Sequence, residues 1–363
     1  MIPSNKTYLP PREEYEKYLD QIWESGWVTN DGDLLQKLES ELKEYFQADY
    51  VRIVSSGTFA LQIAIRALDL DGDVVTTPFS YVATTGALIW EKCDPVFADI
   101  DPDTFTIDPA TAEAAITPDT SALLPTHVFG VPCDVEALDA IADEHDVSLL
   151  YDGAHAFGTE INGRSLMTHG DMTAISFHAT KLFHTVEGGA IVTDDPNMVE
   201  QIELTRAFGH RGNDHFCTGI NAKNSELHAA MGLCLLSRMD EFIDRRREAY
   251  QLYTSLLDDL PLQFQEIPAS CTYNYSYFPG VFPSHECMMT VKRRLEESDI
   301  HARRYFTPSL NKLPYVEASE CPVAEAVADR ILCLPFFQEI TAEQIKQVAA
   351  GIRESWPTEP QMS

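Results

Sequence analysis

The run SFHATKLFHTVEGGAIV, from Ser176 to Val192, sets a single lysine, Lys181, between two apolar stretches, MTAISF (172–177) and GGAIVT (188–193). Such a lysine is either a solvated loop residue or a chemical tool. Held in a low-dielectric site, its amine has a lowered pKa and becomes a nucleophile that can form a Schiff base. Asp152 ends another apolar stretch, VSLLYD (147–152). A carboxylate at that place wants a cation, although an aspartate also serves as an ordinary helix cap. His155 follows three residues later and is either part of the same site or structural. Ser56-Gly57-Thr58 follows VRIV and opens a helical stretch, a place that binds phosphate or is simply a capped helix end, with Ser56 or Thr58 as the cap. Tyr81, after DVVTTP, either stacks on a flat ring or packs in the core. Each residue alone has an ordinary explanation. Together they provide a phosphate cradle, a ring-stacking aromatic, a carboxylate for a pyridinium nitrogen and a Schiff-base lysine, which is what pyridoxal 5'-phosphate requires.

The elements that must position these residues are legible as alternating segments. Short β-rich runs lie at 51–56, 73–78, 94–100, 121–127, 147–152, 172–177 and 188–193. Helical periodicity fits Leu34–Tyr45, Ala60–Ala67, TTGALIWEK and VEALDAIADEH. Continuous apolar strands separated by helices predict a mainly parallel sheet covered on both faces. In such sheets ligands sit beyond the carboxyl ends of the strands, where the residues above fall. One long helix over 237–260 and a final helix over Ala342–Glu354 belong to a shorter, mixed pattern. The expected organisation is a large α/β domain, residues 1–240 with an N-terminal helical segment, and a smaller α+β domain, residues 241–363.

Composition narrows the partners. Asp and Glu number 57 against 26 Lys and Arg, a net charge of −31. That field repels nucleic acid and anionic membrane, so neither is an expected partner. No signal-type segment and no apolar run long enough to span a membrane is present. The eight cysteines are scattered without a C-x-x-C pair, which predicts buried free thiols in a cytoplasmic protein and no metal site. An anionic cofactor or substrate must then find local positive charge. Arg206, Arg211, Lys223, Arg303 and Arg304 are the candidates for it.

The motifs Ser56-Gly57-Thr58, Asp152-Gly-Ala-His155, Ser176-Phe-His-Ala-Thr-Lys181 with Glu187-Gly-Gly, and Gly219-Ile-Asn221 through Ser225-Glu-Leu-His-Ala-Ala230 resemble those of the DegT/DnrJ/EryC1/StrS sugar aminotransferases. The resemblance runs from TNDGDLLQKLESEL, which starts at Thr29, to HARRYFTPSL. It implies the fold-type I aminotransferase architecture, a homodimer and pyridoxal 5'-phosphate. It implies that Lys181 is the Schiff-base lysine, that Asp152 pairs with the ring nitrogen and that Tyr81 stacks on the ring. His155 would lie near the ring's 3-hydroxyl, and Ser56, Gly57, Thr58 and Ser176 would hold the phosphate. Asn221 would reach the phosphate of the neighbouring subunit's cofactor. Thr29, Lys223, Arg304 and Tyr305 are the implied substrate residues. Family members with histidine in place of the lysine are dehydratases, and Lys181 argues against that activity here. The Glu187-Gly188-Gly189 run is similar to that of members acting at C-4. It implies amination of dTDP-4-keto-6-deoxyglucose by L-glutamate, in O-antigen or antibiotic sugar synthesis. A 3-keto sugar nucleotide, a UDP-linked 4-keto sugar and a non-catalytic regulator on the same fold are the alternatives.

Overall fold

The computed structural model describes residues 1–356, so residues 357–363 of the expected smaller domain lie outside the described residues. All seven β-rich runs become strands of one sheet: β1 (Tyr50–Val54), β2 (Asp73–Thr76), β3 (Asp94–Phe97), β4 (Thr120–Leu124), β5 (Ser148–Asp152), β8 (Met172–Ser176) and β9 (Gly189–Thr193). Between β5 and β8, the two-residue β6 (Glu160–Ile161) and β7 (Arg164–Ser165) pair with each other. The sheet order is β1-β9-β8-β5-β4-β2-β3. From β8 to β3 every pairing is parallel, whereas β9 runs antiparallel to both β8 and β1.

The inner strands read as unbroken apolar runs because they feed two cores. Leu149, Tyr151, Ile175, Ala190 and Val192 enter one core, and the intervening Leu150, Ala174 and Ile191 enter another. This is the period-two alternation of a pleated strand with no wet face. The first core is covered by α2 (Asp33–Phe46) through Leu35, Leu38 and Leu42, following α1 (Arg12–Ser25). The second is covered by α3 (Gly57–Ala67) and α4 (Val82–Trp90). Next come the short α5 (Pro109–Ala114), α6 (Val135–His145) on the first face and α7 (Pro196–Arg206) on the second. The buried α8 (Glu226–Leu236) packs on α2. Glycine at the N-cap of α2 offers no side-chain acceptor. The buried Glu226 carboxylate supplies it instead, accepting from Leu34 N–H at 2.8 Å and Leu35 N–H at 2.9 Å.

The small β10 (His210–Arg211) and β11 (Asp214–His215) form an exposed hairpin before α8. The 19-residue α9 (Met239–Leu257) starts in the first core with Met239 and Phe242 and ends in a third with Tyr253 and Leu257. That third core is built by α10 (His285–Glu297) and α12 (Ala342–Ser355). Around it lie β12 (Cys271–Thr272), β13 (Pro279–Val281), α11 (Pro322–Arg330) and β14 (Ile331–Cys333), with β13 and β14 antiparallel. β12 pairs with β6 and so ties the later chain to the large sheet. The extreme N-terminus, which the sequence places with residues 1–240, packs instead on this third core. Ile2 is buried there and bridges Ile300. An aromatic cluster of Phe79, Phe105, Phe129 and Phe306 fills the space between the cores.

Candidate active site

The parallel strands all end at one edge of the sheet. Because β9 is antiparallel, its first residues return to that same edge. Gly189 is in register with Ser176 at the end of β8 and with Val54 at the end of β1. A Cβ on Gly189 would lie 2.6 Å from Ile175 O and 2.7 Å from the Ser56 carbonyl, so this close backbone approach needs glycine. A Cβ on Gly57 would likewise lie 2.7 Å from Ser176 Cβ. The two glycines bring Ser176 against the N-terminus of α3. Ser56, not Thr58, is its cap: the Ser56 hydroxyl accepts from Phe59 N–H at 3.1 Å. A helix N-terminus flanked by hydroxyls is a site for an anion.

Lys181 lies in the β8–β9 connection, which is closed on itself. Phe177 N–H donates to Gly188 O (2.8 Å), Thr185 N–H to Phe177 O (2.9 Å) and Ala179 N–H to Val186 O (2.8 Å). Val186 takes φ +70°, costly for a β-branched residue. The N-terminal segment straps this loop: Asn5 Nδ2 donates to Thr180 O and Thr7 Oγ1 to Ala179 O, both at 2.8 Å. Lys181 as a residue is half-buried, and it lines a cavity. Burial pushes its pKa down to about 8, a drop that the Asp152 charge partly opposes.

Asp152 is buried at the end of β5, 4 % exposed. Thr84 Oγ1 donates to its Oδ2 at 2.7 Å and Ala154 N–H to its Oδ1 at 3.0 Å. Burial raises its pKa, and those two hydrogen bonds and Lys181 hold it down. Among the described residues no lysine or arginine comes within ion-pair distance of it. A buried carboxylate without a cationic partner, facing a cavity, is a place for a cation to be brought in. His155 is buried and neutral, its pKa lowered well below the usual value by burial and then by the Lys181 charge. Phe129 N–H donates to His155 Nδ1 at 3.2 Å, so the ring proton resides on Nε2, a donor. The imidazole stacks on Phe306 at 5.6 Å and meets the edge of Tyr277 at 5.0 Å.

These groups line one cavity of about 310 Å³. Of the residues singled out from the sequence, Ser56, Gly57, Thr58, Tyr81, Asp152, His155, Ser176, Lys181 and Tyr305 share its wall. Tyr81 is 56 % exposed at the N-cap of α4, not packed in a core. Four others stand apart from it. Thr29 bridges Ser225, Asn221 is exposed and bridges Ala207, and Lys223 lies over the Phe208 ring at 5.1 Å. Arg304 is turned to the Ala328 and Asp329 carbonyls at 3.2 and 3.0 Å. Its neighbour Arg303 lines the cavity instead, with Nη1 donating to Tyr305 Oη at 2.8 Å. Arg206 is spent on Glu39, Asp31 and Ile53 O, and Arg211 on Glu200 and Glu203. Sequence reasoning missed Thr84 and Tyr277. Thr84 was findable as the residue one helical turn beyond Tyr81, on the face that returns to the strand ends.

The residues fit pyridoxal 5'-phosphate. The α3 N-terminus with Thr58 and Ser176 would take the phosphate, the unpaired Asp152 carboxylate a protonated ring nitrogen, His155 Nε2–H a ring oxygen, and Lys181 the aldehyde carbon.

Comparison with known proteins finds relatives over nearly the whole chain. Residues 11–353 match the DegT/DnrJ/EryC1/StrS aminotransferase family. The chain is 40 % identical over 354 residues to the dTDP-4-amino-4,6-dideoxy-D-glucose transaminase of Shigella dysenteriae, covering 95 % of this chain and 96 % of that one. It is 35 % identical over 360 residues to the Escherichia coli enzyme of the same name, covering 96 % of each. The crystal structure of DesI with its TDP-sugar product superposes with a TM-score of 0.92 at 34 % identity, covering 98 % of this chain and 92 % of that one. A fold-type I sheet with a strand-end lysine, a matched family over nearly its whole length and these relatives lead to one conclusion: the chain belongs to the DegT/DnrJ/EryC1/StrS aminotransferase family and is an aminotransferase.

Proposed function

We propose that this aminotransferase uses pyridoxal 5'-phosphate to move the amino group of L-glutamate to C-4 of dTDP-4-keto-6-deoxyglucose, giving dTDP-4-amino-4,6-dideoxyglucose. The observation that carries the reading is the Lys181 amine, with its pKa near 8, in one cavity with the unpaired Asp152 carboxylate. The names of the Shigella and Escherichia relatives support the substrate.

When bound, the cofactor supplies an electron sink that carries the amino group between donor and acceptor. The chain's residues do the rest. Lys181 Nζ takes the proton from the donor's α-carbon and, in the second half of the cycle, delivers one to C-4 of the sugar. An amine with a pKa near working pH suits both tasks. Asp152 would keep a proton on the ring nitrogen, and the Thr84 hydrogen bond orients Asp152 and favours its carboxylate form against the effect of burial. His155 offers Nε2–H as a fixed donor. Phe129, Phe306 and Tyr277 wall the imidazole off from water.

The enzyme is further proposed to act as a cytoplasmic homodimer in which Asn221 reaches the partner's cofactor phosphate. The same face carries Thr29 and Lys223, with roles toward the partner's substrate. In support, Asn221 is exposed and outside its own chain's cavity, and Leu227, on the helix that follows it, and Trp27 and Val28, which precede Thr29, are large exposed apolar residues. Eight free cysteines, most of them buried, suit a reducing compartment.

The test is NMR of the product formed from enzyme, cofactor, L-glutamate and dTDP-4-keto-6-deoxyglucose. An amino group on C-4 is expected. If glutamate bleaches the bound cofactor yet no amino sugar forms, the sugar assignment is overturned and the UDP-linked and 3-keto sugars take its place.

A further inference from the structure

A second cavity of about 110 Å³ opens beside the Lys181 chamber and shares Thr180, Tyr277, Arg303 and Tyr305 with it. Its far wall holds Arg246 from α9, and its near wall includes Asn5 and Thr7 of the N-terminal strap. No Asp or Glu lines it, in a chain with 57 of them.

Arg246 is 6 % exposed. Its Nε donates to Gln338 Oε1 at 3.2 Å and its Nη1 to the carbonyls of Tyr275 (3.3 Å) and Ser276 (3.1 Å). These are neutral acceptors, and no carboxylate offsets the charge. The guanidinium also lies over the Phe336 ring at 5.3 Å. Of the other arginines with sheltered side chains, Arg52, Arg206, Arg238 and Arg304 each meet a carboxylate, and the half-buried Arg330 meets only Ala326 O. Arg303, at the mouth shared by the two cavities, also lacks one; its hydrogen bond is to the Tyr305 hydroxyl. A buried guanidinium that is hydrogen-bonded but unneutralised is an uncompensated charge, and an anion that completes its fork is strongly favoured.

We propose that Arg246 and Arg303 form the site for a carboxylate of the amino donor, set in the side cavity so that the donor's amine projects into the Lys181 chamber. The proposal rests on the transaminase reading above. A carboxylate oxygen can take Arg246 Nη2, the guanidinium nitrogen left without a hydrogen bond, and suits the small volume, whereas a nucleotide diphosphate needs a longer channel. Asn5, in the wall of the site, also holds Thr180 beside Lys181. The donor is therefore recognised at the strap that secures the catalytic loop.

The test uses the holoenzyme and follows the donor half-reaction by cofactor absorbance, with glutarate as an unreactive carboxylate competitor. Arg303→Gln and Arg246→Lys are expected to lower kcat/KM for L-glutamate by about tenfold or more and to weaken glutarate inhibition in parallel. KM for the sugar nucleotide should change less. Undiminished glutamate efficiency and glutarate inhibition in a cofactor-loaded Arg303→Gln enzyme overturn the site. A rise confined to the sugar nucleotide's KM also overturns it, in favour of a diphosphate contact. Should Arg246→Lys fail to fold, Arg303→Gln carries the test. If wild-type enzyme reacts with no amino donor, the transaminase reading fails. Calorimetric binding of glutarate to wild type and to Arg303→Gln then decides the carboxylate site separately, with equal affinities overturning it.

Discussion

The lowered pKa of Lys181 has a direct chemical readout. Burial brings the amine to about 8 from the ordinary 10.5. An amine of pKa 8 is about 10 % free base at pH 7 and about 90 % at pH 9, so its reactivity rises about tenfold over that interval and then levels off. A solvated lysine rises about 100-fold over the same interval and is still climbing roughly tenfold per pH unit at pH 9. Trace acetylation of the cofactor-free protein between pH 6 and 10, with Lys181 quantified by mass spectrometry against an added reference amine, separates the two. The Asp152 charge raises the Lys181 pKa, so Asp152→Asn should move the midpoint below 8. Lys181 should then label faster at pH 7 even though the same change should abolish turnover by removing the proposed partner of the ring nitrogen. Opposite directions in the two assays distinguish electrostatics from unfolding, which would raise the midpoint toward 10.5. A Lys181 rate that still climbs about eightfold from pH 9 to 10 in wild type, as an ordinary lysine does, refutes the reasoning.

Thr84→Val removes a hydrogen bond to a buried carboxylate, worth about 1.5–3 kcal/mol, and should weaken cofactor retention by about tenfold to a hundredfold, measured by equilibrium dialysis. Because that bond lowers the Asp152 pKa, its loss raises the pKa further, so carboxylate function should fail at a higher pH on acidification than in wild type. Asn221→Ala should loosen the cofactor several-fold in the proposed dimer, by the loss of about 1 kcal/mol, without lowering the melting temperature; unchanged retention removes Asn221 from the proposed partner site. Gly57→Ala drives a methyl to 2.7 Å from Ser176 Cβ, and should cost about 1–3 kcal/mol of stability and loosen the phosphate end of the cofactor, read by thermal melting and cofactor titration.

The five inner strands were legible because they are buried on both faces and read as bounded apolar runs, Leu149-Leu150-Tyr151 being typical. The principal polar groups were legible for a related reason: Asp152, Ser176 and Lys181 interrupt or end those runs, and a parallel sheet gathers strand ends at one edge. Local sequence by itself therefore determined the element types, the ligand edge and the amine and carboxylate that face each other there. It did not determine the reversal of β9 that returns Gly189 to that edge, nor the partners of the site. Thr84 meets Asp152 across 68 residues and Asn5 meets Thr180 across 175. Arg303 turns to the cavity while Arg304 turns to Asp329, a choice between adjacent like residues that no periodicity records. Arg246 reads as one of three consecutive arginines on a helix, and only the docking of the third core on α9 buries it without a carboxylate. Periodicity reports how an element meets its core, whereas these pairings depend on how distant elements meet one another, and that was decided by the tertiary structure alone.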